Sequence, residues 1–208
     1  ERYEYDARVG LAATAYDSVL SPIEYPSDQT QDDLLSLRYE AEPLAAPMEI
    51  TGQPSVKLFF STDAPLEEID LVVKLLDVTP EGHSHLVSFD SLQGSRAENV
   101  GSEGTSDIYK AAIPLRPTSY EFGVGHRVRL CISGANFPAI WPTPRRYSLR
   151  VYSGGSYATE LVFPVIPDQN PALPAPNLGP PPDPSIENDA VLESGSAYSV
   201  TQDLVTRS

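Results

Sequence analysis

Short stretches in which apolar and polar residues alternate recur along most of the chain. They cover residues 56–60, 109–115, 128–132, 149–151 and 161–165. A repeat of two residues is typical of β-strands with one buried face. Gly, Pro and Ser separate the stretches, and no helical repeat of useful length occurs. The pattern therefore predicts an all-β fold with little helix, in which about eight short strands form a β-sandwich or jelly roll.

Residues 69–78 are apolar on both faces of the predicted strand, with Ile69 and Leu71 on one face and Val72 and Leu76 on the other. Such a strand is central in its sheet and is covered from both sides. A Thr-Pro-Glu-Gly turn follows it, so residues 68–92 are predicted to form a hairpin. By contrast, residues 93–107 are polar and rich in Gly and Ser, and they are predicted to be a loop.

The two ends of the chain differ from the region between them. Residues 1–33 show no sustained repeat and are predicted to form an extended arm, whereas residues 34–166 hold the sandwich. Nine prolines lie between Pro164 and Pro184, so residues 167–196 are predicted to be an extended strap, with a ligand for a partner's aromatic groove as the alternative. Residues 197–208 are predicted to add one more strand of a truncated extension, and we expect the chain to be a fragment.

Charge is distributed unevenly along the sequence. The net charge of −15 argues against nucleic acid and anionic membranes as partners. Residues 1–107 hold 6 basic and 21 acidic side chains, whereas residues 108–166 hold 7 basic and 2 acidic ones. This separation predicts an intramolecular or subunit contact, with independent solvation of both sets as the alternative. No apolar run approaches the roughly 18 residues of a membrane span.

No nucleophile motif for serine or cysteine hydrolysis is found. Gly-x-Ser-x-Gly is absent, and the strand–turn–helix context it requires is absent as well. The three histidines, His83, His85 and His126, lie in or beside predicted strands. Cys131 lies inside a strand and is predicted to be a buried small hydrophobe. We therefore predict no catalytic residue in this chain.

Metal and cofactor sites are not predicted either. His83 and His85 have a spacing that can bind zinc, but a third ligand is required, and two solvated histidines are the favoured interpretation. Asp28, Asp32 and Asp33 lack the fixed spacing of a calcium loop. They are predicted to be solvated carboxylates that cap a turn.

Five aromatic residues lie in the predicted loops or beside them: Phe137, Trp141, Tyr147, Tyr152 and Tyr157. Together they could form a platform on which a sugar stacks. Trp141 is held by neighbouring prolines, which suits stacking or docking. Three roles remain open for Trp141: a plug at one end of the sandwich, a contact with another domain, or a ligand platform.

Several motifs occur in order between residues 5 and 166. The longest is Phe-x-x-Gly-His-Arg-x-Arg followed by three strand residues and Ser-x-x-Asn-Phe-Pro, within residues 120–138. Others are Asp-Asp-Leu-Leu-Ser-Leu at 32–37, Ser-Thr-Asp-Ala-Pro at 61–65 and Lys-Leu-Leu-Asp-Val-Thr-Pro-Glu-Gly at 74–82. This order resembles the C-terminal jelly-roll domain of the X-Pro dipeptidyl-peptidase and cocaine-esterase-like (CocE/NonD) serine hydrolases. After Pro138 the chain departs from the cocaine-esterase pattern and resembles a branch of longer hydrolases.

The resemblance implies a galactose-binding-domain-like jelly roll without catalytic residues, because the family's Ser, Asp and His lie in a preceding α/β-hydrolase domain. The implied role is to pack on that catalytic domain, in the same polypeptide or another subunit, and to help wall its acyl pocket. By position the wall includes residues 11–20 with Tyr16, and Phe137 and Trp141 are further candidates for pocket wall or domain contact. A homo-oligomer is left open. The alternative is a free-standing carbohydrate-binding or adhesion module.

Overall fold

Antiparallel β-strands form most of the structure. The computed structural model of the protein describes residues 1–11 and 28–167, together with Gly179. In chain order the strands are β1 (Arg2–Glu4), β2 (Leu37–Glu40), β3 (Met48–Gly52), β4 (Ser55–Thr62), β5 (Asp70–Val78), β6 (Ser84–Gln93), β7 (Glu98–Glu103), β8 (Ser106–Pro114), β9 (Thr118–Phe122), β10 (Arg127–Ser133), β11 (Ser148–Gly154), β12 (Tyr157–Ala158) and β13 (Glu160–Val162). Helix is limited to α1 (Thr30–Asp33) and two 3₁₀ turns, Leu66–Glu68 and Gly94–Arg96, within the described residues. The predicted all-β class is confirmed.

The strands form two main sheets and one separate pair. The first sheet has the order β1-β11-β4-β8-β7, with β12 paired to β11 and β13 paired to β4. The second sheet has the order β2-β10-β5-β6, and β3 pairs with β9. Strands adjacent in sequence often lie in different sheets, which is the connectivity of a sandwich of the jelly-roll type. The finer galactose-binding-domain-like assignment stays a prediction.

The core lies between the inner faces of the two sheets. Alternate residues of β4 and β5 face it, and each is at most 1% exposed: Val56, Leu58, Phe60, Leu71, Val73 and Leu75. They belong to one hydrophobic cluster with side chains of β8, β10 and β11. The two-residue alternation thus positions the core as predicted, because successive side chains of a strand point to opposite faces.

Strand β5 is central and covered on both faces, as predicted. It lies between β10 and β6, and the predicted hairpin over residues 68–92 is confirmed by the β5–β6 pairing. On the outer face, Val72 and Leu76 are fully buried, and Lys74 between them is 2% exposed. Residues 28–33 contact this outer face through Gln29 and Asp32. A cation therefore lies in the middle of the most enclosed strand.

The prediction of a loop over residues 93–107 is wrong. This segment contains β7, which pairs with β8 at the edge of the first sheet. All residues of β7 are exposed or half-buried. An edge strand with both faces near solvent has no apolar alternation, so its sequence looks like that of a loop.

The predicted N-terminal arm is described only in part. Arg2–Glu4 forms β1 and pairs with β11, and Thr30–Asp33 forms α1. The rest of the arm, residues 12–27, lies outside the described residues. The predicted Pro-rich strap and the last predicted strand also lie outside them, apart from residues 167 and 179. In the described part of the chain, no helix is long and apolar enough to span a membrane.

A buried tyrosine gives the fold a testable response to alkaline pH. The Tyr3 side chain is 5% exposed, and its hydroxyl oxygen accepts the backbone N–H groups of Asp6 (3.2 Å) and Gly134 (3.4 Å). Burial raises the pKa of the Tyr3 phenol from 10.0 to about 12. The stabilisation from the neutral phenol is therefore fully present below the unfolded-state pKa of 10.0 and is lost as pH rises through about 12.

We expect Tyr3→Phe to lower the free energy of unfolding by about 1 kcal/mol near pH 7, because two N–H groups lose their acceptor. Above about pH 10 the deficit should shrink, since only the wild-type protein loses the stabilisation that depends on Tyr3 protonation. Urea titrations of both proteins at about pH 7 and about pH 11 measure the difference. A deficit that stays constant or grows with pH would contradict the assignment.

Candidate domain-contact surface

Three segments distant in sequence are connected by hydrogen bonds. They are residues 6–11, residues 28–36 and the β10–β11 loop, residues 134–147, and together they are called the Trp141 surface below. The backbone N–H of Phe137 donates to the carbonyl oxygen of Val9 over 3.2 Å. The backbone N–H of Gly10 donates to Asp32 Oδ2 over 2.9 Å. Residues 6–11 are therefore bonded to both of the other segments.

The β10–β11 loop is fixed at its base and at its tip. At the base, a side chain at Gly134 would overlap the hydroxyl group of Tyr147, so only glycine fits there. Tyr147 is 3% exposed and donates its O–H to the carbonyl oxygen of Asp70 over 3.1 Å. Near the tip, Asn136 and Ile140 exchange two backbone hydrogen bonds of 3.2 and 2.8 Å. These contacts brace the loop.

Trp141 lies exposed on this braced loop. Its side chain is 73% exposed, and the Phe137 ring meets it edge-on with ring centroids 5.4 Å apart. The interpretation of Trp141 as a plug is therefore wrong. The described end of the sandwich is filled instead by Tyr147, which stacks on Tyr5 at 4.8 Å. Because Leu34, in the neighbouring segment, is 64% exposed, two large apolar side chains face solvent here, as at many interaction sites.

Buried ion pairs hold α1 on the second sheet. Asp32 and Asp33 are each 1% exposed, so the prediction that they are solvated is wrong. Lys74 Nζ lies 3.4 Å from Asp32 Oδ2, and Arg129 lies 2.7 Å from Asp33 Oδ2. Burial lowers the pKa of the Arg129 guanidinium, but its bonds to Asp33 and Glu40 outweigh burial and raise that pKa overall. Two adjacent carboxylates thus meet two cations of strands β5 and β10.

Further ion pairs connect the basic and acidic parts of the sequence. Arg145 pairs with Glu68 at 2.8 Å, and Arg150 pairs with Glu103 at 3.4 Å. Together with Arg129, these contacts are intramolecular. They favour the first of the two interpretations of the charge pattern, a contact within the chain.

The predicted site residues are only partly brought together. Phe137 and Trp141 are in contact, whereas Tyr16 lies outside the described residues. The five loop aromatics do not form one platform. Tyr147 is buried, and Tyr152 and Tyr157 lie 6.0 Å apart in a separate group around Phe59. The sequence did not indicate this separation, because it depends on which strand face each ring occupies.

One histidine has a carboxylate partner that sequence analysis missed. His126 Nδ1 lies 2.9 Å from both carboxylate oxygens of Asp77, and the Tyr120 O–H donates to Asp77 Oδ2 over 2.8 Å. A histidine–carboxylate pair is part of a hydrolase triad, but a nucleophile must hydrogen-bond the histidine as well. Within residues 1–11 and 28–167, no serine or cysteine does so. The group therefore works as a structural bond between β5, β9 and the turn before β10.

Other candidate chemistry is also unsupported. Burial raises the pKa of the Cys131 thiol well above its usual value, so the thiol is protonated at neutral pH and is a poor nucleophile. His83 is exposed and lies 3.3 Å from Asp28. Among the described residues, no three or more His, Cys, Asp or Glu side chains are grouped so that they could hold a metal ion.

Comparison with known proteins identifies the family. The family described as the X-Pro dipeptidyl-peptidase C-terminal non-catalytic domain matches residues 1–164, and the chain belongs to this family. A cocaine esterase from Rhodococcus sp. (strain MB1 Bresler) is 33% identical over 143 residues. The match covers 65% of this chain and 23% of the esterase. The expectation of a non-catalytic C-terminal domain of this hydrolase family is confirmed.

Solved structures show the same fold. An aminopeptidase from a marine sediment archaeon (Thaumarchaeota archaeon) matches with a TM-score of 0.62 and 23% identity, over 80% of this chain and 33% of that chain. An alpha-amino acid ester hydrolase matches with a TM-score of 0.60 and 24% identity, over 80% of this chain and 32% of that chain. The chain therefore spans about a third of each solved chain and less than a quarter of the esterase.

The exposure of Trp141 can be measured directly, because the chain contains a single tryptophan. We expect the native protein to show solvent-like tryptophan emission and an acrylamide quenching constant close to that of its urea-unfolded form. The reason is that 73% of the side chain is exposed. A blue-shifted emission with strong protection from acrylamide in the isolated native chain would contradict the described position of Trp141.

Proposed function

We propose that this chain is the supporting, non-catalytic domain of an α/β-hydrolase-type serine hydrolase that cleaves ester, amide or X-Pro peptide bonds. It packs on the catalytic domain through the Trp141 surface. The observation that carries the proposal is Trp141 itself, a large apolar side chain that is exposed on a braced loop. Aromatic side chains in this setting are favoured at the centre of protein interfaces. The names of the relatives, an esterase, an aminopeptidase and an ester hydrolase, support the substrate class.

The same surface suits a role beside the acyl pocket. Leu11 and Asp28, the described residues on either side of residues 12–27, both belong to the Trp141 surface. Both ends of the segment that contains Tyr16 are therefore joined covalently to residues of the Trp141 surface. We propose that Tyr16, Phe137 and Trp141 contribute to a pocket wall that excludes water and selects the acyl group without transferring a proton.

The absence of a nucleophile can be tested with a fluorophosphonate probe. We expect no serine-dependent labelling of this chain and no turnover of p-nitrophenyl acetate above background, because no described histidine is bonded to a serine. The parent hydrolase with its catalytic domain is the positive control. Labelling of the chain alone that disappears on substitution of one serine would overturn the non-catalytic assignment.

Docking can be followed at Trp141 with a fluorine label. The chain is prepared with 5-fluorotryptophan, and the parent catalytic domain is added as a separate, unlabelled polypeptide. We expect the single ¹⁹F signal to shift on binding, and Trp141→Ala to weaken association by about tenfold or more, as at interface hot spots. Val162→Ala is the matched control, since Val162 is 57% exposed on β13 and lies outside the Trp141 surface.

Two outcomes would contradict the proposed function. One is association that Trp141→Ala leaves unchanged. The other is a ¹⁹F shift caused by saccharides but not by the catalytic domain, which would favour the carbohydrate-binding alternative because an exposed indole is also a sugar-stacking group.

A further inference from the structure

Lys74 is a buried cation. Stability alone does not explain why a cation lies at this position. It lies on the outer face of the central strand β5 and is 2% exposed. Its ammonium group donates to Gln29 Oε1 over 3.2 Å and to Asp32 Oδ2 over 3.4 Å. Desolvation of such a pair costs about as much as the attraction returns, and well-packed apolar residues often replace it without loss. A directional role, in which the ammonium group fixes the position of its hydrogen-bond partners, would account for its burial here.

The Lys74–Asp32 pair begins a series of contacts that ends at the exposed tryptophan loop. Asp32 Oδ2, which faces Lys74, also accepts the backbone N–H of Gly10 over 2.9 Å. The preceding residue, Val9, accepts the backbone N–H of Phe137 over 3.2 Å. Each step is a hydrogen bond or a peptide link, so the position of Phe137 depends on the position of Asp32.

The backbone of Gly10 packs tightly against the backbone of Phe137, which makes this contact rigid. Its φ of +100° is a conformation that other residues rarely adopt, and a side chain here would overlap the backbone of Phe137. The two backbones are therefore in direct contact. A shift of Gly10 must move Phe137, and the Trp141 ring packs on the ring of Phe137.

The neighbouring ion pair, Asp33 with Arg129, connects α1 to other strands and not to Gly10. Asp33 bonds Arg129 of β10, and Arg129 also pairs with Glu40 of β2. This pair holds α1 on the second sheet, whereas the bond to Gly10 comes from Asp32. The Lys74–Asp32 pair therefore sets the position of Gly10.

We propose that Lys74 is a positioning residue. Through Asp32 it fixes Val9 and Gly10 against Phe137 and so sets the placement of the Trp141 surface. Lys74 contacts no substrate. An effect of Lys74 on catalysis, through the shape of the pocket wall, rests on the proposed function. Its effect on the positions of Gly10 and Trp141 does not.

The test removes both charges together. In Lys74→Met/Asp32→Asn no buried charge is left without a partner. The amide introduced in place of the Asp32 carboxylate retains an oxygen that can accept the Gly10 N–H, so any loosening reports the missing ammonium group. We expect the Gly10 amide to exchange hydrogen about tenfold faster or more, while the amide of Leu75 in the core keeps its protection. The ¹⁹F signal of labelled Trp141 should shift or broaden.

Lys110→Met/Glu98→Gln is the matched control. It removes an ion pair of 3.1 Å with the same change of charge, but this pair is largely exposed. Both readouts should remain as in the wild-type protein. Native exchange at Gly10 and a native Trp141 signal in a folded Lys74→Met/Asp32→Asn protein would overturn the proposal.

A second variant covers the case in which the first does not fold. Lys74→Met/Asp32→Leu replaces the pair by apolar side chains, the kind of exchange that buried ion pairs tolerate. An unchanged Trp141 signal in this folded protein refutes the proposal, and a shifted signal supports the part of it that runs through Asp32. Added to the catalytic domain, the variants should raise KM more than they lower kcat. A changed Trp141 signal with unchanged docking and kinetics would leave Lys74 as a positioning residue and count against the proposed function.

Discussion

The structure depends on a strand that must be covered on both faces. The inner face of β5 packs in the apolar core between the sheets. Its outer face carries Val72, Lys74 and Leu76. Left bare, this face would expose apolar area to water, and covering it buries a charge that then needs a partner. The segment around α1 supplies both the cover and the carboxylate. The same segment is hydrogen-bonded to Gly10, and Val9 is hydrogen-bonded to Phe137 in the loop that carries Trp141.

This arrangement explains why a domain without catalytic groups has an ordered end. For a surface that docks on another domain, the role proposed above, a fixed shape is an advantage, since flexible groups lose entropy when they are ordered on contact. The Trp141 loop is braced by Tyr147 and by its own backbone bonds before any partner is present. The entropy cost of ordering the Trp141 loop is therefore offset by contacts within the domain.

The sequence was sufficient for features that depend on local pattern. Alternation located the core strands, and the continuous apolar run identified β5 as central. Features that depend on distant partners could not be predicted. Asp32 and Asp33 look like solvated turn residues until Lys74 and Arg129 are brought to them from 42 and 96 positions away. Strand β7 was missed because a polar edge strand has no alternation. The sequence left the role of Trp141 open, because its exposure depends on contacts of the β10–β11 loop with residues distant in sequence.

The pairing of β1 with β11 has a consequence for synthesis on the ribosome. Arg2 is aligned with Arg150, so β1 emerges from the exit tunnel long before β11, and this side of the sheet cannot close until β11 has followed. Until then the edge of β4 that β11 will occupy is open as well. Residues 1–107 carry a large excess of negative charge, and like charges repel one another. Charge repulsion between acidic segments is expected to disfavour pairing of an incomplete sheet with other chains during translation.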